Sequence, residues 1–357
     1  MATYWGLPKS QLETPALLVD LNAMEHNLKF MARFFENRKA RLRPHFKNHR
    51  VLELAALQMQ LGAIGITCAN LWQAEKLVHC GIGNVLIANE IAGQAALHRY
   101  IALTREAPVL LAVDNASVVR ELAALAGTHA ANVHVLVDID LGLQRCGVAP
   151  GEPAVALARQ ITDSGLRLCG IMGYEGHLQP LEPGPEKQQL VGEAMEKLAD
   201  SKKRIEAAGM PVEIVSCSGT GDYTLTTQYS TVTEVQAGSY LLMDTWYAPF
   251  APQFHLSLSV LATVISKTPG QRIVADAGVK ALSGQRGLPT VKDLAGLHLR
   301  ALHAEHAPID IVDPAVKIDV GDKIEIAVHY HDGTIQLHHR MYGIRNGFVE
   351  KVYEIEH

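Results

Sequence analysis

Arg41-Leu42-Arg43-Pro44-His45-Phe46-Lys47-Asn48-His49 can be read in two ways, and the two lead to different folds. As a strand, its period of two sets Arg41, Arg43, His45 and Lys47 on one face and Leu42, Pro44 and Phe46 on the other. A cationic face belongs in solvent, on an edge strand of the kind that tolerates Pro44, or in an interior that supplies negative charge. The flanking sequence decides between the two.

Working outward, short apolar runs alternate with longer amphipathic ones. Residues 16–21 read as a strand, followed by a helix over 22–35 with Asn22 as its N-cap. The cationic strand covers 40–47, with a helix over 51–61. Further strands are expected at 63–69, 84–89, 109–114, 133–140, 166–174 and 212–218, each with a helical stretch behind it. Eight β-then-α units predict an α/β fold, a (β/α)8 TIM-like barrel. A doubly wound sheet is the alternative, but no G-x-G-x-x-G follows the first strand. After Met243 the pattern changes to short strand-like runs at 255–267, 272–276, 297–304, 323–328, 333–339 and 348–355, split by Gly, Pro and Asp. The expected division is a barrel over 12–243 and a smaller all-β domain over 244–357, joined by a contribution from 1–11.

Composition narrows the function classes. With 48% hydrophobic and 19% charged residues, the 357-residue chain is an ordinary globular protein. A net charge of −5 argues against nucleic acid as a partner. No apolar run reaches membrane-spanning length, and Met-Ala-Thr-Tyr-Trp-Gly-Leu-Pro at the start lacks a charged-then-apolar leader. Five cysteines without a C-x-x-C fit reduced thiols in the cytoplasm.

In a parallel barrel the chemistry sits where the strands end, and there the chain places Lys47, Asn89, Asp114, residues 138–145, 174–177 and 216–223. Ser216-Cys217-Ser218-Gly219-Thr220-Gly221 offers glycine amides and hydroxyls to an anion, and could equally be a simple Ser/Gly turn. A desolvated lysine near a phosphate cup suggests an imine to an aldehyde cofactor, and pyridoxal 5'-phosphate supplies both groups. A phosphosugar aldolase lysine, needing no cofactor, is the rival.

Arg43-Pro44-His45-Phe46-Lys47-Asn48-His49 resembles the R-P-H-x-K-T-H element of the D-threonine aldolase and D-serine dehydratase group of alanine racemase-like pyridoxal phosphate enzymes. Thr14-Pro15-Ala16, Asp138 with Gln144-Arg145-Cys146-Gly147, Gly173-Tyr174-Glu175-Gly176-His177, the Ser216 loop, Glu234-Val235-Gln236-Ala237-Gly238-Ser239-Tyr240 and Asp276-Ala277-Gly278-Val279-Lys280 are similar to the same group. The resemblance implies that Lys47 carries the cofactor imine. Ser218, Gly219, Thr220, Gly221, Gly238, Ser239 and Tyr240 would hold its phosphate. Tyr174 would lie against its ring, Arg145 near its phenolic oxygen, and Gln236 at its pyridine nitrogen, where alanine racemases carry an arginine.

The group's small domain carries an H-x-C or H-x-D metal pair, and ungapped matching puts Tyr330 at the His position and Asp332 at the acid position. Three readings stay open. His329, His331 and Asp332 ligate a divalent metal (Mn, Mg or Zn) in a shifted register; Tyr330 is itself the acid/base; or the segment is a solvated turn. Glu305-His306 resembles the acidic-His pair that precedes this strand in the group. The implied activity is a pyridoxal phosphate lyase cleaving a small D-β-hydroxy-α-amino acid to glycine and an aldehyde, with His45 or Lys47 returning a proton to Cα. D-Serine or D-3-hydroxyaspartate dehydration, racemisation, and non-catalytic cofactor binding are the alternatives; residues 250–357 speak against the last. A homodimer is implied by resemblance, and no Arg or Lys stands out as a clamp for a second substrate carboxylate.

Overall fold

The computed structural model describes residues 4–357 and divides them into two compact units. One comprises 31–47 and 52–238; the other comprises 4–30, 48–51 and 239–357. The first strand of the chain, β1 (Ala16–Asp20), lies in the second unit.

The barrel unit holds β2 (Arg41–Leu42), β3 (Ile66–Cys68), β4 (Val85–Ile87), β5 (Val109–Val113), β6 (His134–Ile139), β7 (Arg167–Gly173), β8 (Ile214–Cys217) and β9 (Glu234–Val235). They form a parallel sheet in the order β2-β9-β8-β7-β6-β5-β4-β3. Its two ends meet: His45 bridges Thr67, the Ile64 N–H donates to the Leu42 carbonyl, and the Thr67 N–H donates to that of Pro44, both at 2.9 Å. Parallel strands covered on both faces need continuous apolar runs, and β3, β4 and β5 are buried at every position. Leu86, Leu110, Ala112, Leu136, Cys169 and Met172 pack as one cluster from β4 to β7. Side-chain caps start the helices between strands: Asn70 accepts from the Gln73 N–H at 3.1 Å, and Asn115 from the Ser117 N–H at 2.9 Å.

In the β unit, β10 (Leu258–Thr268), β11 (Arg272–Ala275), β12 (Thr290–Val291), β13 (Leu297–Leu299), β14 (Ala307–Ile311), β15 (Lys323–Ala327), β16 (Arg340–Arg345) and β17 (Phe348–Glu354) join β1 in a mixed sheet. β1 is central: it pairs antiparallel with β10 (Ala16 opposite Leu261) and parallel with β16 (Leu17 opposite Met341). Residues 4–11 run beside β17, with Pro8 bridging Phe348 and the Gly6 N–H donating to the Val349 carbonyl. Residues 1–3 of the expected N-terminal contribution lie outside the described residues.

Four sequence expectations change. Residues 16–21 do not open the barrel; a strand apolar on both faces suits either sheet, and here its partners are β10 and β16. The eighth barrel strand is instead β9, only two residues long. Asp20, not Asn22, caps the first long helix, its carboxylate accepting from the Ala23 N–H at 3.0 Å. Residues 333–339 are no strand: a short helix, His331–Ile335, begins directly after the extended Tyr330.

Candidate active site

The cationic stretch is exposed at Arg41 and buried at Arg43, whose charge has a partner. Arg43, 2% exposed, donates Nε and Nη2 to the two oxygens of Glu234 on β9 at 2.9 Å each, and Nη1 to the Asn84 carbonyl. Gly65 makes room for this guanidinium, because a Cβ there would stand 2.2 Å from Nη1. The extended chain persists to His45, whose N–H reaches the Ala237 carbonyl at 3.3 Å, and then folds into a 3-10 turn, Phe46–Asn48. Phe46 is fully buried and anchors the turn, while His45 and Lys47 are half-buried. Lys47 thus sits on a turn at the strand's end and not on the strand face that strict alternation implies. Its N–H approaches His45 Nδ1 at 3.4 Å.

The loop after β8 is a tight cradle. Ser218 takes a left-handed conformation (φ 74°), and its hydroxyl is committed on both sides, donating to Asp222 at 2.8 Å and accepting from Thr226 at 2.9 Å. The Gly219 N–H also donates to Asp222 (3.0 Å), and the Gly221 N–H to the side-chain oxygen of Gln179 (2.8 Å). Glycine is needed most at Gly221, where a Cβ would lie 2.8 Å from the Gln179 carbonyl; one on Gly219 would lie 2.7 Å from the Gln179 side chain, which would have to shift. Thr220 is buried beside them. The buried amide nitrogen of Gln179 has no acceptor among the described residues, so the cradle holds a donor that awaits one.

Gln236 follows β9 and donates to Ser216 at 2.9 Å. The Arg145 guanidinium lies 5.7 Å from the centre of the half-buried Tyr174 ring. Nearby Asp138 is pushed up to about 8, chiefly by burial and then by the Glu90 carboxylate, with Arg145 opposing. Gly238 is buried at the close of the barrel unit.

In the β unit, Asn48 donates to Asp332 (2.6 Å) and to the Ser239 hydroxyl (3.4 Å), and its amide nitrogen lies 2.9 Å from His331 Nε2. His331 is fully buried. Its Nδ1 is held by Asp244, which also accepts the His331 N–H at 2.8 Å, and its Nε2 stands 3.2 Å from Asp332. Burial alone would lower His331, but Asp244 and Asp332 outweigh it and carry it to about 10. The turn of the helix is what brings Asp332 round to His331. His329 faces elsewhere, toward the Thr245 hydroxyl (2.7 Å) and the Arg286 carbonyl (3.3 Å). Among the described residues no third His, Cys, Asp or Glu ligand joins His331 and Asp332. Tyr330 is half-buried; with Trp246 it lines the face of Arg286, whose guanidinium is 4.1 Å from the Trp246 ring centre and 5.0 Å from that of Tyr330. Tyr240 is fully buried against Phe254. Glu305 is exposed and ion-paired with Lys280, and His306 is exposed beside it. Thr14 and Asp276, from two separated motifs, meet at 2.6 Å.

Sequence reasoning missed Glu234 as the counter-ion, Asp244 as the group orienting His331, and Asp222 and Gln179 as the supports of the cradle. Glu234 and Asp222 fall inside stretches singled out above without a role of their own, and Asp244 and Gln179 fall outside them.

Residues 19–245 match the family described as alanine racemase, N-terminal domain, and residues 257–344 match a putative serine dehydratase domain. D-threonine aldolase of Arthrobacter sp is 33% identical across 98% of this chain and 94% of that protein. 3-Hydroxy-D-aspartate aldolase of Paracoccus denitrificans is 30% identical across 98% and 93%. Among solved structures, D-threonine aldolase from Filomicrobium marinum superposes with a TM-score of 0.95 at 34% identity, covering 99% of this chain and 97% of that one. D-threo-3-hydroxyaspartate dehydratase from Delftia sp. superposes with a TM-score of 0.88 at 27% identity, covering 98% and 99%. The family match covers more than half of the chain and the likeness runs over nearly its whole length, and the chain belongs to the alanine racemase N-terminal domain family, in its D-threonine aldolase and D-serine dehydratase group.

Proposed function

We propose that this protein is a pyridoxal phosphate-dependent lyase that cleaves D-β-hydroxy-α-amino acids to glycine and an aldehyde. The observation that carries the reading is the glycine cradle with its unsatisfied Gln179 donor in the same barrel as the Lys47 turn. A phosphate monoester suits such a cradle, and Lys47 is the amine to which an aldehyde cofactor would attach. When bound, the cofactor supplies an electron sink at Cα. Gly219, Thr220 and Gly221, with Gly238, Ser239 and Tyr240, are assigned to its phosphate, Ser218 shaping the loop through its backbone. Tyr174, Arg145 and Gln236 are assigned to its ring. Lys47 or His45 returns the proton to Cα.

The β unit carries a buried polar set of its own. A buried carboxylate holding one ring nitrogen of a histidine while the other faces a second carboxylate is a donor set that suits a divalent ion such as Mn, Mg or Zn. His331 and Asp332 are its proposed ligands, and the ion would polarise the substrate hydroxyl. His329 is left out of the set, because its two ring nitrogens face Thr245 and Arg286. Tyr330 remains the alternative acid/base. The two are separated by a panel of D-threonine, D-serine and D-3-hydroxyaspartate with and without chelator. Loss of cleavage on chelation, restored by added Mn, supports the ion; chelator-insensitive cleavage that vanishes in Tyr330→Phe supports the tyrosine.

Arg286, its guanidinium beside two aromatic rings, presents a cation for an acidic side chain, such as that of the 3-hydroxy-D-aspartate named for one of the relatives. Arg286→Ala is expected to cut kcat/KM for D-3-hydroxyaspartate by roughly 10–100-fold, the worth of one charged hydrogen bond, with a far smaller change for D-threonine. Equal losses on both substrates would refute that assignment.

No helix among the described residues is long and apolar enough to cross a membrane. Five unpaired cysteines, three of them buried, support a cytoplasmic location. A homodimer is carried over from the resemblance, and size measurement in solution tests it.

A further inference from the structure

Most of the buried polar atoms left without a partner among the described residues gather behind the loop at 218–221. They are both carboxyl oxygens of Glu175, one oxygen of Asp222 and the amide nitrogen of Gln179. Glu175 and Asp222 are each fully buried, and their carboxyl groups lie against one another. Two adjacent carboxylates out of water cannot both be ionised; one proton between them removes the repulsion. That proton also pairs one of the two Glu175 oxygens with Asp222 Oδ2, because a carboxylic acid donates where a carboxylate cannot.

The surroundings decide which group is charged. Asp222 Oδ1 already accepts from Ser218 Oγ and from the Gly219 N–H, at 2.8 and 3.0 Å. The buried Lys187 ammonium acts on Asp222; it donates to the carbonyls of Gln179 (2.9 Å) and Leu181 (3.0 Å). Glu175 has no hydroxyl donor; the backbone N–H groups of Glu175 and Ser218 favour its charged form, but burial and then Asp222 outweigh them and hold it well above the usual carboxylate range. The neighbouring titratable groups are Cys217, kept as a thiol by burial and by the acids around it, and Glu234, which is paired with Arg43.

We propose that Glu175 and Asp222 share one proton, with neutral Glu175 donating to Asp222 Oδ2, and that this pair is the positioning element of the 218–221 cradle. Asp222 then keeps the single charge that pins Ser218 in its left-handed conformation and draws in the Gly219 amide. With both groups charged, a second anion would stand behind a loop meant to receive a phosphate. The positioning role rests on the assignment of the cradle to pyridoxal phosphate; the shared proton does not.

Two measurements on the full-length holoenzyme test this. Infrared spectroscopy at neutral pH is expected to show a protonated-carboxyl C=O band that disappears in Glu175→Gln. A protonated-carboxyl signal that Glu175→Gln leaves unchanged, as expected of Asp138 alone, overturns the shared proton, whether or not the protein binds the cofactor. Release of pyridoxal phosphate is expected to speed up roughly tenfold or more in Glu175→Leu, which leaves Asp222 unpaired. In Glu175→Gln, whose amide still donates, the change is expected to stay under about threefold. Equal acceleration in both variants overturns the positioning role. Glu175→Gln preserves side-chain size, so the infrared result stands even if Glu175→Leu does not fold.

Discussion

Replacing Lys47 with alanine is expected to remove the visible absorbance of bound pyridoxal phosphate and to lower turnover by at least about a thousandfold. Lys47→Arg should fail in the same way. The guanidinium keeps the charge and much of the length of the side chain, but offers no nucleophilic amine at physiological pH. Lysine at this point could simply neutralise an anion, and in that case arginine would restore much of the activity. The turn Phe46–Asn48 gives the prediction its force, because the fully buried Phe46 ring fixes the backbone that carries Lys47. Substituting an exposed lysine of the same unit, such as Lys203, should leave the absorbance intact. A Lys47→Ala protein that retains both the cofactor band and activity would remove this residue from the mechanism.

Breaking the pair between Arg43 and Glu234 is expected to have the largest effect on stability. Both side chains are almost wholly out of water, and the guanidinium meets the carboxylate in two parallel hydrogen bonds. Removing one partner leaves a charge with neither water nor counter-ion, which costs about 3–5 kcal/mol. Glu234→Leu and Arg43→Met should each therefore lower the thermal transition of the barrel by roughly 6–20 °C. The double variant should recover much of that loss, because an apolar pair of similar volume avoids the desolvation altogether. Gly65→Ala belongs to the same test, since its added Cβ would lie 2.2 Å from Arg43 Nη1 and 2.1 Å from the Asn84 carbonyl oxygen. Calorimetry of the four variants checks the account. Single variants within about 1 kcal/mol of wild type would show that the ion pair is not what holds the strand, since 3–5 kcal/mol is the expected loss.

The α/β alternation was plain in the sequence because parallel strands buried on both faces leave continuous apolar runs, as at β4 and β5. What such runs do not encode is which strands they pair with. Residues 16–20 have the texture of a barrel strand, yet lie between β10 and β16, whose residues come more than 200 positions later. β9 escaped notice because two residues carry no period; Glu234 and Val235 were read only as part of a motif leading to Gly238. Residue type and order singled out Lys47 and the 218–221 loop, which lie on a 3-10 turn and in a tight glycine loop of one unit. Type and order gave the supports no role. Asp244 meets His331 from 87 positions away, and Gln179 meets Gly221 from 42, and neither spacing has a local signature. Alternation also misled at 329–332. It grouped His329 with His331, whereas the helix starting at His331 pairs that residue with Asp332 and leaves His329 facing Thr245.

The measurement closest to the central claim is a product analysis with D-threonine as the single substrate. The purified holoenzyme, given D-threonine, should release glycine and acetaldehyde in equal amounts, with no activity on L-threonine. 2-Oxobutyrate and ammonia in place of glycine would show a dehydratase, L-allo-threonine accumulating without either product pair would show a racemase acting at Cα alone, and either outcome would contradict the assignment as an aldolase.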